Sequence, residues 1–298
     1  MLFIDPSTKA GSANGIDDDS AIEQSIIRFM DCAHNLSNMI LKMTGHQLTV
    51  LTNREDYLLR FGHSISYELM DFTFDIPKDI AFYASHHKID VFRHLGSKSN
   101  EYSVLIDNDV ACLNDLPGSL KNCVKNSWAT YSDITRHSVE AYGLDVILRD
   151  KEYLMGSEKS TGLWCDGGYL GGTNGFFTSV YELIDSMFDD YLAGLNTYHH
   201  VGDEFLMSVA IEKMIQKGTP IFDISRTGFF SRYWSVETRH NQLPWESFKN
   251  NCLLHLPADK PFLAMKKEPF LDPYLSSIRG QQRIRSVKKL IKKLINKR

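Results

Sequence analysis

Asp107 and Asp109 are carboxylates one residue apart, directly behind the apolar run Val104-Leu105-Ile106 and ahead of a second apolar patch, Val110 to Leu113. A run apolar on both faces predicts a central strand of a covered sheet, because a strand wet on one side would alternate. Where the chain turns out of such a strand, both acids can converge near the sheet's carboxyl edge. Converging carboxylates repel unless a cation sits between them, and oxygen ligands suit Mg²⁺, Mn²⁺ or Ca²⁺. Three other stretches carry chemical groups. Leu163 to Gly172 sets four glycines around Asp166, a composition that lets backbone approach a ligand and equally serves tight turns and close packing. Asp203-Glu204 opens an apolar helical pattern, where acids also serve as an ordinary amino-terminal complement to the helix dipole. His255 leaves the short run Cys252-Leu253-Leu254 ahead of Lys260-Pro261-Phe262, either as a ligand or as an ordinary satisfied histidine.

The elements around these groups alternate in the order of an α/β chain. Met1 to Ile4 reads as a first strand and Ser7 to Asn14 as a loop. Asp17-Asp18-Asp19-Ser20 caps a helix patterned by Ile22, Ile26, Phe29, Met30, Ala33 and Leu36 and closed near Gly45. Leu48 to Thr52 and Tyr67 to Phe74 read as strands, and Ala81 to Leu95 as a helix leading into the Asp107 strand. Val180 to Leu195 and Asp203 to Gly218 read as further helices. No internal repeat is apparent.

A chain of 298 residues with ordinary apolar and charged fractions can bury one large core or two modest ones. The net charge of −4 gives no bulk attraction to nucleic acid, which is not expected as a partner. Five cysteines, odd in number and without Cys-x-x-Cys spacing, argue against a disulfide framework or a zinc ribbon and suit a reducing, cytoplasmic setting. The amino terminus turns acidic too soon for a signal peptide, and no run reaches membrane-spanning length.

Taken in order, these pieces resemble a metal-dependent glycosyltransferase of the GT-A type, and most closely family 8, which includes bacterial lipopolysaccharide galactosyl- and glucosyltransferases and glycogenin. Lys88 to Leu95 followed by Tyr102 to Val110 looks like the family's helix and Asp-x-Asp strand; Trp164 to Gly168 looks like its donor-sugar segment, Asp203-Glu204 its acidic pair, and His255 with Lys260 its late metal-ligand histidine and diphosphate lysine. Four places depart from the pattern. Asp166 stands where Asn is usual. Ala258 replaces a glycine, with Lys260 one residue early. Lys88 occupies the region where an arginine is expected, and the loop after the first strand lacks the donor-binding acidic signature.

The resemblance implies a single Rossmann-like α/β domain over residues 1–262, with a central, mostly parallel sheet flanked by helices. It implies a UDP-sugar donor with Mn²⁺, or Mg²⁺, held by Asp107, Asp109 and His255. Lys88, Asn108, Gly167, Gly168 and Lys260 then join the two acids in holding the donor, with Asp166, Asp203 and Glu204 as the catalytic groups. A hexose, glucose or galactose, would pass with retention to a glycan or lipid-linked acceptor in cell-surface polysaccharide or lipopolysaccharide synthesis. Residues 263–298 form an extension in which 281–298 place Ile284, Val287, Ile291 and Leu294 on one helical face and lysines and arginines on the other. Such a basic amphipathic helix suits an anionic membrane surface, putting the protein on the inner face of the cell membrane. Two rivals share the residues: a haloacid-dehalogenase-like phosphatase with Asp107 as nucleophile, and a non-catalytic glycan-binding or scaffold protein on the same fold.

Overall fold

The computed structural model describes residues 19–60, 64–99, 101–236 and 238–265. The expected first strand, the Ser-Gly-Ala loop and the basic segment 281–298 lie outside the described residues. Helix α1 (Asp19–Thr44) buries Ile26, Met30, Ala33, Leu36 and Ile40 along one face, the spacing of an amphipathic helix. It stops at Gly45, whose φ of 73° suits glycine and whose N–H reaches the Leu41 carbonyl at 3.0 Å. Three short elements follow: β1 (Thr49–Thr52) pairs in parallel with β2 (Ser66–Leu69), with α2 (Glu55–Arg60) between them.

The expected strand to Phe74 ends early for a visible reason. Asp90 Oδ1 accepts the backbone N–H groups of Thr73 and Phe74 at 3.0 and 2.9 Å, so a buried carboxylate takes donors that a sheet neighbour would have used. The helix expected over Ala81 to Leu95 is two, α3 (Tyr83–His86) and α4 (Lys88–Ser97), divided at His87.

The remaining strands form two sheets. The larger orders β3 (Tyr102–Ile106), β6 (Cys165–Thr173), β5 (Ala129–Asp133) and β7 (Ile221–Asp223); the smaller orders β4 (Val110–Cys112), β9 (Leu253–His255) and β8 (Phe230–Arg232). The α/β class stands, but the sheet is not mostly parallel among the described residues. β6 runs antiparallel to both β3 and β5, β4 antiparallel to β9, and the pairs β5–β7, β8–β9 and β1–β2 are parallel. Nor is β3 central among those residues: it pairs only with β6, and Val104 is 39% exposed.

Between the strands lie α5 (Gly118–Lys125), α6 (Thr135–Tyr142) and α7 (Leu144–Met155), while α8 (Asn174–Gly194), α9 (Asp203–Gln216) and α10 (Lys260–Leu263) complete the order. Gly96 of α4 meets Thr178 of α8 so closely that an added Cβ would lie 2.6 Å from Thr178 Oγ1. Every residue of α9 from Phe205 to Glu212 is buried, as expected of a helix enclosed by the core. Asn35 of α1 donates to the carbonyls of Leu263 and Met265 at 2.7 and 3.0 Å, tying the end of the described chain back to its first helix.

Beneath the larger sheet Lys151 of α7 is fully buried, paired with Glu212 of α9 and donating to the Ser208 carbonyl at 3.2 Å. Glu212 also accepts from Ser160 and Thr161, so this ion pair fixes the segment that leads into β6. Lys151→Met should therefore cost about 3–5 kcal/mol, the price of stranding a buried charge. Urea unfolding followed by circular dichroism tests it; a change under about 1 kcal/mol would mean that the pair does not anchor the segment.

Candidate metal centre and active site

Residues 107–109 are the passage from one sheet to the other. The Asp107 N–H reaches the Gly168 carbonyl at 3.1 Å, extending the β3–β6 ladder by one step, and two residues later β4 has joined β9. There Val110 lies opposite His255, Arg232 of β8 flanks His255 on the other side, and the Leu256 N–H donates to the Asp109 carbonyl at 2.8 Å. Strand pairing alone thus gathers side chains far apart in sequence. One ligand atom each from Asp107, Asp109 and His255 lies within 4.8 Å of the other two.

Lys88 stands at the buried start of α4. Its ammonium bridges Asp107 at 2.9 Å and Asp203 at 2.7 Å and donates to the Gly167 carbonyl at 2.7 Å. Asp203 and Glu204 open α9 behind Gly202, whose φ of 141° lies where side chains are disfavoured. Lys260, partly exposed on α10, pairs with Asp109. Asn108 turns the other way, donating to the Phe29 carbonyl of α1 at 3.2 Å, so as it stands its side chain secures the passage and does not face the acids.

Asp166 is completely buried and its oxygens are taken up within the protein. Oδ1 accepts from the Gly168 N–H at 2.8 Å, His255 Nδ1 at 3.0 Å and Arg232 Nη2 at 2.8 Å, while Oδ2 accepts from Arg232 Nε at 2.9 Å. The side chain expected to touch a sugar here orients a histidine and an arginine. Arg232 also holds Glu204, which accepts from Trp164 Nε1 at 2.6 Å and the Gly167 N–H at 3.0 Å. Nothing in the sequence singles out Arg232: it is one arginine in a three-residue strand, and the only clue is that buried acids need a cation.

Electrostatics follow from these contacts. Burial favours the neutral form of Asp109, Asp166, Asp203 and Glu204, yet His255 and Lys260, Arg232 and His255, Lys88, and Arg232 respectively hold each of the four below its ordinary range. For His255, burial opposes the charge, but Asp109 and Asp166 outweigh it and raise the imidazole to about 9. Five carboxylates meet three permanent cations, which leaves two negative charges when His255 is neutral. A divalent cation matches that remainder. The donor set fits as well: Nδ1–H to Asp166 fixes the ring while Nε2 faces Asp109 at 3.2 Å, the carboxylate–histidine arrangement that supports metal ligation.

Aromatic rings border the acids. Tyr142 lies 5.1 Å from His199, 5.9 Å from His200 and 5.5 Å from His240, on which Trp234 stacks at 5.5 Å. Trp164, which holds Glu204, meets His200 edge-on at 5.1 Å.

No family model and no curated protein matches the chain. Among solved structures it is similar to mouse xyloside xylosyltransferase 1 in its apo form, at 9% identity and a TM-score of 0.48 over 80% of this chain and 95% of that one. It is similar to the galactosyltransferase LgtC in complex with donor and acceptor sugar analogs, at 12% identity and a TM-score of 0.47 over 86% and 96%. A third likeness is to the apo bifunctional glycosyltransferase WbbM, at 10% identity and a TM-score of 0.48 over 85% of this chain and 50% of that one.

Gly168 gives the metal centre a direct test. A Cβ there would lie 2.6 Å from His255 Nδ1 and 3.1 Å from Asp166 Oδ1, so Gly168→Ala must displace the histidine without touching a proposed ligand atom. Calorimetric titration should find Mn²⁺ bound about 10–100-fold more weakly; unchanged affinity would remove His255 from the ligand set.

Proposed function

We propose that the protein is a metal-dependent glycosyltransferase moving a hexose, glucose or galactose, from a UDP-sugar to a glycan or lipid-linked acceptor with retention of anomeric configuration. The observation that carries this reading is the convergence, at one sheet junction, of a divalent-ion donor set, two lysines beside it and an acidic pair. Asp107, Asp109 and His255 would hold Mn²⁺ or Mg²⁺, and a nitrogen ligand beside carboxylates favours Mn²⁺ over Ca²⁺. When bound, the ion supplies Lewis-acid neutralisation of the donor's diphosphate.

The chain's own groups supply the rest. Lys260, partly exposed beside Asp109, is available to a leaving diphosphate, where a cation helps most as negative charge develops. Lys88 ties Asp107 to Asp203, so the diphosphate end and the sugar end keep one geometry. Glu204, ionised and clamped by Arg232, Trp164 and the Gly167 N–H, is suited to face an anomeric carbon that is becoming positive. Its engaged oxygens argue for that electrostatic role over nucleophilic attack. The acceptor hydroxyl then forms the new C–O bond as the C–O bond to diphosphate breaks, and its proton leaves on the departing phosphate. The cytoplasmic setting, the attachment to anionic lipid through residues 281–298 and a part in cell-surface polysaccharide synthesis complete the proposal; none of the described helices is long and apolar enough to cross a membrane.

Two experiments test it. Asp109→Asn should lower Mn²⁺-dependent UDP-sugar turnover by about 10²-fold or more while the circular dichroism spectrum holds. Full activity at saturating Mn²⁺ would end the metal assignment, and phosphomonoester hydrolysis without UDP-sugar turnover would select the phosphatase. Truncation after Gly280 should release the protein from anionic vesicles and leave soluble-donor hydrolysis intact; equal vesicle binding by both forms would refute the attachment.

A further inference from the structure

A second polar cleft opens beside Arg232, outside the metal cluster. It has a volume of about 380 Å³, within the range of small-ligand sites, and its wall includes Ser132 and Asp133 at the end of β5, Arg136 and His137 in the first turn of α6, Arg226 after β7, and Arg232. The charge is mostly of one sign. Arg136 and Arg226 are exposed and make no ion pair among the described residues, whereas Arg232 is already committed to Asp166 and Glu204. The one carboxylate at the wall among the described residues, Asp133, accepts the Thr135 N–H at 2.7 Å.

An independent observation points the same way. Ser132 is completely buried, and its Oγ has no hydrogen-bond partner. Stranding a buried hydroxyl costs about 1–3 kcal/mol unless something supplies the missing bond. Guanidinium forks and a hydroxyl are the groups that recognise phosphate or carboxylate oxygens.

We propose that this cleft binds an anionic substituent, a phosphate or a carboxylate, on the sugar that accepts the hexose. The acceptor part rests on the transferase reading; the anion site stands on its own residues. Its position separates it from the donor's diphosphate. Among the described residues the cleft wall includes none of Asp107, Asp109, His255 and Lys260, and it meets the metal cluster through Asp166, whose Oδ1 accepts from both Arg232 Nη2, at 2.8 Å, and His255 Nδ1, at 3.0 Å. Arg232 is common to the cleft wall and to the acid pair, which puts an anchored acceptor beside the sugar-facing acids.

The test is calorimetric titration of the full chain, with Mn²⁺ and UDP present to fill the donor side, using glucose 6-phosphate, methyl glucuronide, methyl glucoside and inorganic phosphate as probes. The two anionic sugars should bind at least about tenfold more tightly than methyl glucoside, and R136Q/R226Q should abolish that difference while Mn²⁺–UDP still binds. Equal binding of all three sugars by the unsubstituted protein, or a preference that survives R136Q/R226Q, would overturn the anion site. Inorganic phosphate binding as tightly as glucose 6-phosphate would overturn the acceptor assignment in favour of a free anion. Should Mn²⁺–UDP fail to bind the unsubstituted protein, the transferase reading fails by itself, and the same sugars titrated without nucleotide still decide the cleft.

Discussion

Packing five carboxylates into the junction of two sheets is the constraint that the surrounding structure answers. Each buried acid would carry a desolvation penalty of several kcal/mol if left alone, and the chain meets it from three directions. Lys88 comes from the start of α4, Arg232 from the end of β8 and Lys260 from α10. The two sheets cannot slide relative to one another without breaking these contacts, because Asp107 belongs to one ladder and Asp109 to the other. The glycines of β6 serve the same end: side chains at Gly167 and Gly168 would press against Glu204 and His255.

How much of this the sequence declares depends on whether a feature is local. Helices α1, α8 and α9 were legible because their apolar residues recur at helical spacing over several turns, and Asp107 and Asp109 stand out because they end an apolar run, whereas His255 is grouped with them only by the resemblance. Arg232 was not legible, since a three-residue strand has no period to read and its partners lie 66 and 28 positions away. Asp166 was legible as a chemical group and not in its position, because a glycine-rich sequence does not reveal which side chains press into its gaps. Strand direction is likewise a long-range fact. The alternation of helices and strands suggests parallel crossovers, yet β6 returns antiparallel between β3 and β5.

The contacts also make the cluster act as a unit. Lys88 joins Asp107 to Asp203, His255 joins Asp109 to Asp166, and Arg232 joins Asp166 to Glu204, so a displacement at one acid alters the partners of the next. Substitutions within such a network are non-additive, with coupling of about 0.5–3 kcal/mol. Losing Lys88 and losing Asp107 are thus not independent injuries, since the first leaves two carboxylates facing each other without their common cation.

The placement of charge divides the site in two. Around Asp107, Asp109 and His255 the acids favour a divalent ion; along the cleft wall the exposed guanidinium groups of Arg136 and Arg226 outnumber the carboxylate and favour an anion. Under the proposed reaction both follow from one requirement. The donor arrives with a diphosphate that a cation must neutralise, and an acceptor carrying its own negative group must be held close by without being drawn onto that cation. Asp166, buried and bonded to both His255 and Arg232, is the fixed negative charge through which the two sets of groups meet.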